Sequence, residues 1–241
     1  MLDDLDVLRD AVAAYRAAAT AAGVTWPDQP GRTDGQPPEL VYRLFGVDHI
    51  AEQLIWLESQ GWHAQPLLPQ GGGLMPWSTD ADEALDNLSF AIATPFPWRQ
   101  QMPLFFFGRI LYTFVLKGDH EGEVWRSEAD PDAWDSVRAA TSLAALFTQW
   151  TRGIEAGVVS YGPQVSWLQV GDDVHDPFDV LQERAAHLDP FAFPVSSIAQ
   201  QPLLRARQRE CGVDMTCIER GFDCQEELLA AIDAVRASLN S

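Results

Sequence analysis

Five histidines (His49, His63, His120, His175 and His187) and three cysteines (Cys211, Cys217 and Cys224) are the side chains best able to ligate a metal or act as base or nucleophile. The densest grouping is GDDVHDP, residues 171–177, which places Asp172, Asp173, His175 and Asp176 together. Carboxylate oxygens beside an imidazole can hold a divalent cation. The stretch has no companion motif such as HExxH, and Asp beside Pro and Gly is what a turn needs, so a turn is the expected reading. The three cysteines lie six and seven residues apart, which fits neither CxxC nor the usual zinc pairs. Free thiols serving as small apolar residues are expected. Gly71, Gly72 and Gly73 are not followed by GK[ST], so they do not form a phosphate-cradling loop and read as a flexible connector. There is no GxSxG, and no GxGxxG after a strand. No catalytic residue, cofactor or metal is expected.

Charge is the more informative property. The 241 residues contain 35 Asp and Glu against 16 Lys and Arg, a formal net charge of -19. Such a chain repels phosphate backbones and anionic lipid, so no nucleic-acid or membrane partner is expected. It attracts basic proteins, although solubility alone also accounts for acidity. Lys117 is the only lysine. The opening MLDDLDVLRD lacks an uninterrupted apolar stretch, and no run approaches the ~20 apolar residues that cross a bilayer. A cytoplasmic location is expected.

The elements that would position these groups follow from periodicity. Leu5, Leu8, Val12, Tyr15 and Ala19 predict a helix over 4–22, stopped by Gly23. Residues 26–38 are a Pro/Gly/Asp loop, and 39–46 and 50–59 are helix-like. Strands are expected at 88–94, 104–107, 110–116 and from 122, because aromatic and β-branched residues there are bounded by Pro or Gly. Leu143, Leu146, Phe147, Trp150 and Ile154 form one apolar stripe, capped by Thr141 or Ser142. Beyond it, 164–170 and 213–219 suggest strands, and 177–188 suggests a helix. A helix over 196–210 would be interrupted by Pro202, and a last one would be capped by Asp223 with Glu226.

Three stretches resemble the SUKH superfamily, the Smi/Knr-type proteins that include many bacterial immunity proteins. PPELVYRLFG (37–46) is similar to its early helix, and PLFFFGRILYTFVL (103–116) to its paired central strands. GEVWRSEADPDAWDSVRAATSLAALFTQW (122–150) is similar to its G-x-V-[WY] strand, acidic loop and Ser-initiated helix. The chain would then divide into an N-terminal helix and loop (1–34), a SUKH-like domain (35–156) and a C-terminal α/β extension (157–241). The fold class is α+β, with a mixed, largely antiparallel sheet packed by helices.

The resemblance implies an intracellular immunity protein that neutralises a cognate basic toxin by non-covalent binding. The surfaces assigned to that partner are the acidic loop with Asp119, Glu121, Glu123, Glu128, Asp130, Asp132 and Asp135, and the segment with Asp80, Asp82, Glu83 and Asp86. The alternatives are a regulatory or scaffolding domain without a toxin, and a metal-dependent hydrolase using residues 172–176.

Overall fold

The structure, a computed structural model, describes residues 3–26, 35–62, 67–75, 96–128, 136–172, 174–196, 202–212 and 225–241. The strands expected at 88–94 and 213–219, and the cap Asp223, lie outside these. So do Asp80, Asp82, Glu83, Asp86, Asp130, Asp132, Asp135, Asp173, His63, Cys217 and Cys224.

Helix α1 (Leu5–Ala22) opens where Asp4 accepts the Asp6 N–H at 2.9 Å, which satisfies an otherwise orphan amide. It closes on Gly23 at φ 116°, a left-handed conformation that suits glycine. Leu8, Val12, Tyr15 and Ala19 form its buried stripe, and these are the positions the periodicity marks. That stripe packs against α4 (Leu143–Glu155), whose N-terminus is capped by Ser142 Oγ accepting from the Ala145 N–H at 3.1 Å. Short helices α2 (Glu39–Phe45) and α3 (Glu52–Ser59) follow α1.

The main sheet has the order β1 (Gly73–Leu74), β2 (Gln101–Phe107), β3 (Ile110–Val115), β4 (Val124–Glu128), β5 (Val137–Ala140). Every pairing between these strands is antiparallel, so the expected α+β fold with a largely antiparallel sheet packed by helices is found, with the sheet a plain meander. Gly108 at φ 66° makes the tight turn between β2 and β3. Strand β5 has no counterpart among the strands expected from composition and spacing. It is short, carries Arg138, and is legible only from its pairing with β4. The glycine run is also not merely a connector. Gly73 pairs with Phe106, and at Gly72 the Phe107 ring fills the space a Cβ would need.

Residues beyond 156 form a two-stranded hairpin, β6 (Val159–Gly162) with β7 (Trp167–Val170), then α5 (Pro177–Arg184), a 3₁₀ turn (Pro190–Ala192), α6 (Pro202–Glu210) and α7 (Gln225–Leu239). Of the helix expected over 196–210, residues 197–201 lie outside the described residues, and α6 is described from Pro202 to Glu210. Phe178, Phe191, Phe193 and Val195 join the same core cluster as α1, α4 and the sheet. That segment is latched by three buried donors. Tyr112 Oη and Trp150 Nε1 both donate to the Ala192 carbonyl at 3.1 and 2.8 Å, and Arg126 donates to the Val195 carbonyl at 2.7 Å. Helix α7 packs on α2, where Arg43 donates to Ser238 Oγ at 2.9 Å.

Candidate functional site

The acidic turn between β3 and β4 is the best-defined part of the expected partner surface. Its backbone is closed on itself: Glu121 N–H donates to Gly118 O, Gly122 N–H to Val115 O, and Glu123 N–H to His120 O. Asp119 is exposed and Glu121 half-buried at its tip.

Glu123 is different, and its assignment as a surface residue is corrected. It is 8% exposed, and its carboxylate is filled by three donors. Trp125 Nε1 at 2.9 Å and His120 Nδ1 at 3.0 Å meet Oε2, and Arg138 meets Oε1 at 2.8 Å. Alternation puts residues 123 and 125 on one side of the chain, and antiparallel pairing sets Arg138 opposite Trp125. A carboxylate removed from water needs such donors to stay ionised. Burial alone would lower the Arg138 guanidinium; the hydrogen bond and charge of Glu123 outweigh it and bind its proton more tightly. Glu128 is corrected likewise: it closes β4 opposite Ile110 and is 9% exposed. Of the assigned acids among the described residues, Asp119 is exposed and Glu121 half-buried, while Glu123 and Glu128 are drawn inward.

Cys211 is buried against Trp125 and Val115, with Phe96 packed on the group. Burial pushes its thiol up, and the neighbouring Arg138 charge opposes this. His120, Phe96 and Trp125 form a triangle of rings: the His120 centroid is 5.5 Å from Phe96 and 6.2 Å from Trp125, and those two are 5.0 Å apart. The role of Glu123 was missed at the level of sequence, although Glu123-x-Trp125 on one strand face was its available signal.

The cluster in 171–177 is a turn. Asp172 Oδ1 accepts the backbone N–H groups of Val174 and His175 and contacts His175 Nδ1 at 2.8 Å, while Oδ2 accepts from Arg184 at 3.0 Å. The His175 side chain and backbone, then Val174 N–H and Arg184, hold the Asp172 carboxyl well below the usual carboxylate range. Asp176 accepts the Phe178 N–H and caps α5. Asp172, His175 and Asp176 each have a local hydrogen-bond partner. Among the described residues, no group of three or more His, Cys, Asp and Glu gathers as a metal would require. No helix of the described residues is long and apolar enough to cross a membrane.

No family model matches the chain, and no curated protein or solved structure matches it either.

Proposed function

We propose that this is an acidic, cytoplasmic binding protein that neutralises a cognate basic bacterial toxin by non-covalent contact. The observation that supports the reading is the excess of 35 acidic over 16 basic residues, with Asp119 and Glu121 offered on a closed turn. A carboxylate surface raises the encounter rate with an Arg- or Lys-rich protein and discriminates against acidic ones. The turn is braced from within by Glu123, so its outward acids are presented with little conformational freedom to lose on binding.

The test is genetic and then kinetic. A basic candidate toxin is expressed in a host where it arrests growth, and this chain is co-expressed. Restored growth and a stoichiometric complex support the proposal, and Asp119→Lys with Glu121→Lys should slow association by about tenfold without weakening the fold. Unrelieved toxicity with no complex, or an association rate indifferent to both salt and these substitutions, refutes it.

A further inference from the structure

In a chain with so many carboxylates, an exposed arginine that meets none is unexpected. Helix α6 has two, one turn apart. Arg205 donates only to the neutral Gln208 Oε1, at 2.9 Å, and neither Arg205 nor Arg209 meets a carboxylate among the described residues. Helix α5 carries the complement. Asp179 and Glu183, also one turn apart, are exposed opposite its buried Phe178 and Leu181, and neither meets a cation among the described residues. Residues four apart on a helix share one face with Cβ atoms about 5–6 Å apart, so the two pairs have the same pitch.

The two helices share a neighbour in the 3₁₀ turn. Both pack around Phe191: the Phe178 ring of α5 is 6.1 Å away, and the Arg207 guanidinium of α6 lies 5.2 Å from the ring centre. Each segment also exposes an apolar side chain, Val174 just before α5 at 83% and Leu203 in the first turn of α6 at 47%. Arginines that meet no carboxylate among the described residues and acids that meet no cation among them, on two helices that share Phe191, can complement each other through a two-fold axis, where every contact is made twice.

We propose that this face binds a second copy of the chain, with Arg205 and Arg209 of each α6 set against Asp179 and Glu183 of the other copy's α5. Val174 and Leu203 add apolar contact at the edge. The occupant is a second copy because the required carboxylate spacing is present on this chain itself. The overall charge opposes association at long range. At about 0.15 M salt, charges more than roughly 8 Å apart are largely screened, while contact pairs persist. This inference is independent of the toxin-binding reading.

Sedimentation velocity on the full chain at that ionic strength tests it. The chain should be a dimer at about 100 µM. Arg205→Glu with Arg209→Glu should weaken the dimer at least about tenfold, and Asp179→Arg with Glu183→Arg should do the same. An equimolar mixture of the two double variants should recover a dimer, because reversed charges meet their complements. Circular dichroism checks that each variant is folded, and the second reversal serves if the first is not. A wild-type monomer at that concentration overturns the proposal. So does a dimer indifferent to both reversals, and so does a mixture that stays monomeric.

Discussion

The two faces of the five-stranded sheet are built on opposite rules. One face meets α1, α4 and the 190–195 segment through interlocking rings: Phe105, Phe107, Tyr112, Phe147 and Trp150 pair edge to face or tilted, with centroids 5.0–6.2 Å apart. The few polar groups entering it end on backbone carbonyls, as Tyr15 Oη does on Leu67 O at 2.7 Å. The other face gathers Val115, Trp125 and Cys211 around a carboxylate with three donors. The first buries mostly ring area and gains in proportion to it, with the buried Arg126 guanidinium donating to the Val195 carbonyl at its edge. The second buries charge, so much of what it gains is offset by desolvation. Stability therefore belongs to the aromatic face, and the shape of the acidic turn belongs to the polar one.

Trp150→Ala tests the first half of that contrast with the largest effect. It empties the centre of the ring network and removes one of the two donors to Ala192 O. A loss of about 3–5 kcal/mol is expected in urea denaturation. A loss below about 1 kcal/mol would mean that the core relaxes around the gap and that the rings do not dominate stability.

Glu123→Gln follows. The amide keeps the shape but removes the charge, leaving the part-buried Arg138 guanidinium with a weaker partner. The expected cost is about 1–3 kcal/mol. Asp119→Asn, three residues from the turn's exit, should stay within about 0.5 kcal/mol. Equal costs for the two would erase the distinction between brace and presented acid. Hydrogen exchange of the Gly122 and Glu123 amides should quicken in Glu123→Gln alone.

The aromatic face was largely legible in the sequence, and the polar face was not, for a physical reason. Leu8, Val12, Tyr15 and Ala19 recur at helical spacing, as do Leu143, Leu146, Phe147 and Trp150, and burial follows periodicity. The strands β2 and β3 announce themselves by the composition of 104–107 and 110–116 and a Gly108 turn, with residues 101–103 added by the fold. Glu123 and Arg138 meet only because β5 returns beside β4, a tertiary fact that local pattern does not encode. An acidic run also looks the same in sequence whether its carboxylates face solvent or one of them is drawn inward. For this reason Glu123 and Glu128 look like Asp119 in sequence. The 171–177 turn was legible because its task is local: Asp172 bonds within three residues and to Arg184 on the next helix.

Cys211 gives a chemical measure of how closed the polar face is. Because burial raises its thiol, little thiolate forms at mildly alkaline pH, and the thiolate is the reactive species. Alkylation by iodoacetamide, followed by peptide mapping, should be slower at Cys211 in the native chain than in urea by at least about tenfold. Glu123→Gln should narrow that ratio if the carboxylate holds the face shut; an unchanged ratio would place the closure in the apolar contacts alone.

The smallest effect separates a charge that shapes a surface turn from one that shapes the sheet. The folded Asp172 carboxyl titrates below its unfolded value of about 3.9, so it favours the folded state at pH above that value. As pH falls below about 4, the unfolded chain binds its proton first, and the contribution is lost as pH drops through the folded value. Asp172→Asn should therefore destabilise slightly near neutral pH and match the parent chain in strong acid. Asp172 is open to solvent, and salt should weaken the difference. Glu123→Gln lies in a drier setting and should respond less to salt. A salt response of the same size at both sites would put Glu123 among the ordinary surface acids and remove the distinction between the two faces.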